Sequence, residues 1–217
     1  MKKIFTLSFL TLACILALVG CGKKEDTTKD SSSSSNLSFE EINIDFPVEN
    51  VTYDNISADY PADAWINDVD NKYIGQGGII FILTGNSDKF NEFVTIDLTS
   101  YRDSDDLSLE KIGKTTEKEL KALYPEIKFL TSEVKSFGDK EIYFLQSEIP
   151  LDEDSVKELK ASGIIDENAE TTSNKNISVK FKVDKTVYYL TGTYLLDEDA
   201  PEVLKGLETL VQTFKVN

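Results

Sequence analysis

The chain of 217 residues contains no histidine. That removes the commonest general base, the commonest zinc ligand and the side chain that ordinarily switches charge near neutrality. Cysteine occurs twice, at Cys14 and Cys21, and both lie within the first 21 residues. If that region is cut away before Cys21, one thiol remains, so no disulfide can form within the mature chain and the fold must stand on packing. Positive charge is also scarce. There are 23 Lys+Arg against 39 Asp+Glu, a net charge of −16. Such a surface repels phosphate backbones and anionic head groups, so nucleic acid is excluded as a partner, and metal cations or basic proteins are the natural ones.

What is present begins with a leader. Lys2 and Lys3 precede an apolar run from Ile4 to Val19. A spanning helix needs about 20 mostly apolar residues, so this shorter run has the proportions of a signal peptide. It ends in Leu18-Val19-Gly20-Cys21, which resembles the bacterial lipobox. That resemblance implies cleavage after residue 20 and a diacylglycerol on the thiol of Cys21. Two acyl chains, at about 0.8 kcal/mol per buried methylene, anchor a protein stably. Gly22, not Asp, follows the cysteine, so no inner-membrane retention signal is present. The expected location is the outer face of the cytoplasmic membrane of a single-membrane bacterium. Residues 22–37 are polar and rich in serine; as a flexible tether they span about 20–24 Å. A glycosylated or recognised serine tract is the other reading of that stretch.

The remainder, residues 38–217, reads as one domain. Ile42, Ile44, Phe46 and Val48 alternate with polar residues and predict an opening strand, and Ile56, Ala58 and Tyr60 predict another. Gly75-Gln76-Gly77-Gly78 is a turn and not a phosphate cradle, because it feeds the strand-like run Ile79–Leu83 and lacks a GK[ST] ending. Phe93–Leu98 follows as a strand with Val94, Ile96 and Leu98 on one face. Leu109, Ile112, Leu120 and Leu123 mark a helix from about Ser108 to Tyr124, with Asp105, Asp106 or Ser108 as cap and Pro125 as stop. Strands are expected at 127–134 and 141–149, then at 177–183 and 187–195. Asp199 with Glu202 resembles a capping box before a final helix whose stripe is Val203, Leu204, Leu207, Leu210, Val211 and Phe214. Between the late hairpins lies an insertion at about 151–175, with a short helix suggested by Ser155 and Glu158 and an exposed loop over 166–175. The order predicts an α+β fold in which two main helices cover a central antiparallel sheet.

Ile56-Ser57-Ala58-Asp59-Tyr60-Pro61-Ala62-Asp63-Ala64-Trp65 resembles the opening of PsbP-like domains, which share a fold with the Mog-type Ran-binding protein. Leu107-Ser108-Leu109-Glu110 and Leu210-Val211-Gln212-Thr213-Phe214-Lys215 match the same pattern. The resemblance spans about residues 50–217. It implies an α/β/α sandwich and a non-catalytic accessory role beside a membrane-associated assembly, and it brings no catalytic set.

Chemistry is sparse. No G-x-S-x-G occurs, and the one S-x-x-K, Ser108-Leu109-Glu110-Lys111, sits where a capping serine is expected. With 39 acids, no pair of carboxylates stands out. An envelope hydrolase is therefore the least supported class, and no catalytic residue or cofactor is assigned. Acidic clusters at 103–106, 151–154 and 196–199 could offer oxygens to calcium, yet each precedes a predicted helix, where acids serve as caps. No metal ligand is assigned. The candidate contact residues for an envelope protein or a small ligand are Tyr60, Trp65, Asp152, Glu153 and Asp154. The expected function is a tethered docking module. A cation- or small-ligand-binding surface receptor is the alternative.

Overall fold

The computed structural model describes residues 37–90, 93–162, 165 and 173–217. The leader, Cys21 and the serine tether lie outside the described residues, as does Gly163. Ten strands are described: β1 (Val48–Tyr53), β2 (Ile56–Pro61), β3 (Trp65–Asn67), β4 (Ile79–Gly85), β5 (Thr95–Arg102), β6 (Lys128–Phe137), β7 (Lys140–Pro150), β8 (Ser173–Val183), β9 (Thr186–Tyr194) and β10 (Lys215–Val216). The helices are α1 (Leu109–Leu123), α2 (Glu153–Ala161) and α3 (Ala200–Thr213), the last entered through a 3-10 turn at Asp197–Asp199.

Short turns join neighbouring strands, so the pairing is antiparallel throughout. Seven strands form the main sheet in the order β3-β4-β5-β9-β8-β7-β6, and β1-β2-β10 form a separate small sheet. The expected α+β class holds, but the second sheet was not foreseen. On β7 the side chains alternate between two cores: Ile142 and Phe144 face one, Tyr143 and Leu145 the other. Leu109, Ile112 and Leu120 of α1 join the Tyr143 side, while Val203, Leu207 and Leu210 of α3 join the Phe144 side. The two main helices thus cover opposite faces. Both approach closely. A methyl group at Gly113 would meet the Tyr143 ring at 2.1 Å, and one at Gly192 would meet Val203 at 2.3 Å, so each glycine is the space that lets a helix reach the sheet.

Several expectations change. The alternating stretch at 42–48 is not a strand. Residues 39–47 form no helix or strand, with a bend at Phe46, and β1 begins only at Val48. Alternation reports which side chains leave water, and Ile42, Ile44 and Phe46 are half-buried between exposed neighbours, but it is silent on backbone partners. Ser108 caps α1 by accepting from the Lys111 amide at 3.3 Å. Leu123, placed on the apolar stripe, is exposed. Asp152, not Ser155, caps α2. Ser173, Asn174 and Lys175 belong to β8 and not to the loop of the insertion. The Asp199 side chain makes no capping bond to α3.

Candidate functional site

The five contact candidates from the sequence do not form one surface. Tyr60 is buried, and its hydroxyl donates to Glu49 Oε2 at 2.8 Å; burial, with Glu49, pushes the phenol up to about 12. Trp65 is 1 % exposed, its ring tilted against Phe90 at 5.1 Å between centroids and laid against Gly206. Both are positioned as core. Asp152 accepts from the Ser155 amide at 2.7 Å, and that bond and the Ser155 hydroxyl hold its carboxyl below the usual range. Glu153 and Asp154 are exposed in the first turn of α2, where acids meet the positive end of the helix; Asp154 pairs with Lys157 at 3.3 Å. Asp103, from the first acidic cluster, accepts from the Leu107 and Asp105 amides and from Lys182 at 3.0 Å. Burial raises its carboxyl, and these donors outweigh it, so the net direction is down. Among the described residues no three His, Cys, Asp or Glu side chains gather as a metal site.

The unusual chemistry lies elsewhere, on the α1 face of the main sheet. Register places Asp97 on β5 opposite Thr191 on β9, which lies opposite Ser178 on β8; the next rung is Thr99, Tyr189 and Lys180. All six side chains are buried. The other face of the same strands is apolar: Ile96 and Leu98 on β5, Leu190 on β9, Ile177, Val179 and Phe181 on β8. Lys180 donates to the Thr116 hydroxyl of α1 and stands 4.1 Å over the Tyr189 ring. Burial presses its ammonium down to about 7, against the attraction of Glu119. The Tyr189 hydroxyl donates to Ser178 at 3.3 Å. Asp97 is the extreme case. It is 2 % exposed, its Oδ2 has no hydrogen-bond partner among the described residues, and burial pushes its carboxyl up to about 8. Perturbed groups of this kind are candidates for function, because a buried charge is costly unless something pairs with it. A neutral carboxyl can donate and accept; ionised, it can meet a cation.

A second polar cluster ties α1 to the sheet. Glu117 accepts from Lys114 at 2.8 Å and, by short bonds, from Ser132 and Tyr143. Burial raises the Glu117 carboxyl, and those three donors outweigh it, leaving it below the usual range. Lys114 also reaches the Ser132 hydroxyl at 3.3 Å. This serine and lysine do not make a nucleophile and base, since Glu117 holds both the hydroxyl proton and the ammonium.

Sequence reasoning missed Asp97 and Lys180. Each is a charged residue inside a run that reads as strand, TIDLT and SVKFKV. The available signal was a charge on a strand central enough to be covered on both faces.

No family model and no curated protein matches the chain. Solved structures do. The Ran-binding protein Mog1p of Saccharomyces cerevisiae aligns at a TM-score of 0.51 and 12% identity, covering 79% of this chain and 96% of that one. Cyanobacterial PsbP from Synechocystis sp. PCC 6803 aligns at 0.47 and 12%, covering 87% and 98%. LpqN of Mycobacterium tuberculosis, described as involved in cell envelope biogenesis, aligns at 0.49 and 12%, covering 79% and 86%. The chain has the PsbP-like, Mog-type fold; at this identity the likeness speaks to fold alone.

Proposed function

We propose that the chain is a membrane-anchored extracytoplasmic lipoprotein, held by a diacylated Cys21 on the outer face of the cytoplasmic membrane. On this reading, residues 38–217 are a single domain that acts as a non-enzymatic docking module for another envelope component. One observation carries the docking reading. At the β3 edge of the main sheet, Ile66 is 54% exposed and Val69, just past the strand, is 69% exposed. Large apolar side chains beside a sheet edge that is unpaired among the described residues suit a protein partner, and the net charge of −16 favours a basic one. Mog1p, named as a Ran-binding protein, is an instance of this fold serving protein recognition. The burial of Tyr60 and Trp65 moves the proposed contact surface from the aromatic strand ends to Ile66 and Val69.

The test is photo-crosslinking in cells from residue 66, in the natural chain and in Cys21→Ser. One dominant envelope protein should be trapped by the natural chain. The variant should leave the membrane fraction and lose that adduct. Adducts to random neighbours would remove the docking reading, and a variant that stays on the membrane would remove the anchor.

Asp97 favours a second reading, a receptor for a cation or small ligand, because its buried oxygen lacks a partner among the described residues. Calcium is the simplest probe. A receptor predicts a rise in melting temperature at millimolar calcium that disappears in Asp97→Asn, by the linkage between binding and stability. An unchanged melting temperature counts against calcium.

A further inference from the structure

Residues 37–46 lie on the α3 side of the domain without helix or strand, and the hydrogen bonds that fasten their backbone there reach side chains. The Leu37 amide donates to Gln146 Oε1 at 3.3 Å, the Glu40 amide to Glu208 Oε1 at 2.8 Å and the Ile42 amide to Gln212 Oε1 at 3.1 Å. Gln212 returns a bond from Nε2 to the Ile42 carbonyl at 3.1 Å. Three of these four bonds therefore depend on Glu208 and Gln212, one turn apart on α3. Phe39 is fully buried, with ring centroids 4.8 Å from Phe137 and 5.5 Å from Phe144, and Lys205 caps the Phe46 ring at 4.0 Å. A strand held by a ladder separates only with its sheet. This segment instead has one aromatic peg and three side-chain hooks, Gln146, Glu208 and Gln212, and one hook is an acid.

We propose that residues 37–46 are a releasable clasp, pegged by Phe39 and hooked by Glu208, whose closed state binds a proton that its open state gives up. Glu208 is 5% exposed under the segment. Burial raises its carboxyl to about 7; the Glu40 amide lowers it, the Glu40 carboxylate raises it and Lys135 on β6 lowers it. Lys205 on α3 and Glu41, beside Gly138, are the further charges near the segment. Lifting the segment gives Glu208 back to water and to its ordinary value, 4.5. The closed form thus binds protons more tightly, and closure weakens as pH rises through about 7. The consequence for reach rests on the anchored reading: a freed segment adds about 33 Å of extended chain between membrane and domain. The clasp itself does not depend on the lipid.

Hydrogen exchange of peptides covering 37–46, on the full chain and corrected for the intrinsic rate, tests this directly. Linkage between 4.5 and about 7 raises the open fraction about twentyfold from pH 5.5 to 7.5. In Glu208→Gln the amide of Glu40 keeps an acceptor, so the segment should stay protected and its opening should be flat with pH. Phe39→Ala should open the segment at every pH and keep the slope. A natural-chain profile as flat as that of Glu208→Gln, or a Phe39→Ala profile no more open than the natural one, would overturn the clasp. Neither outcome bears on the Cys21→Ser fractionation.

Discussion

Trp65→Ala is expected to cost about 3–5 kcal/mol of folding stability, the usual loss for emptying a large aromatic site in a core. Trp65 closes the corner where β3 meets α3. Its ring packs at a tilt against Phe90, and Gly206 on α3 leaves it room, since a methyl group there would stand 2.8 Å from the indole nitrogen. Neither neighbour can fill the space that alanine would leave without moving a helix or a turn. Domains of this kind are stable by only about 5–15 kcal/mol, so the loss is a large share of the total. Urea denaturation followed by far-ultraviolet circular dichroism measures it, with the midpoint falling at an unchanged slope. The same variant separates two roles for this side chain. A contact residue would leave stability intact and weaken the crosslink from residue 66. A core residue moves the midpoint, which is the outcome expected for a ring that is 1% exposed.

Periodicity in the sequence carried the elements because each strand and helix has one face that must leave water. Val94, Ile96 and Leu98 read as one face and are one face; the stripe of α3 read the same way and packs the same way. Periodicity failed where two arrangements share a pattern. Ile42, Ile44 and Phe46 alternate equally well in a ladder and in a segment hooked by Glu208 and Gln212, and only the partners distinguish the two. Caps failed for a related reason. Asp152 and Ser155 are both good caps, and the choice between them is one turn of register that packing decides.

The candidate site was the least legible part. In Thr95-Ile96-Asp97-Leu98-Thr99 the polar residues look like the solvent face of a half-buried strand. What the sequence does not say is that this face is covered. Asp97 and Lys180 therefore looked ordinary until the register of β5, β9 and β8 set them under cover. By contrast, the acidic clusters looked unusual and are ordinary. Asp152 caps, and Asp103 binds a lysine and two amides.

Asp97→Asn should halve the fall of stability with pH between about pH 5 and 6.5. The sign follows from its raised carboxyl. The folded form keeps the proton up to about 8, while the unfolded chain gives it up near 3.8. Its contribution is complete at low pH and is lost as pH rises toward 8. Glu208, raised to about 7, acts in the same direction. Two protons give a slope of about −2.7 kcal/mol per pH unit, and one gives about −1.4. The slope counts protons, so within this window it requires only that each folded value lie above the window, as about 8 and about 7 do. Other groups stay outside this window. The lowered carboxyls of Asp103, Glu117 and Asp152 contribute stability that is lost only as pH falls toward and below their ordinary values. Lys180, pressed down to about 7, adds stability only as pH climbs from there toward 10.5. Stability should therefore reach a minimum near neutrality, and at pH 7 the asparagine variant should exceed the natural chain by up to about 4 kcal/mol. Urea midpoints across pH 4.5–8 measure both quantities, with Glu208→Gln and the double variant assigning each proton. An Asp97→Asn slope equal to the natural one would mean that the carboxyl is already ionised in the fold. A buried carboxylate needs a counter-charge, and that result would shift the balance from the docking module to the cation receptor.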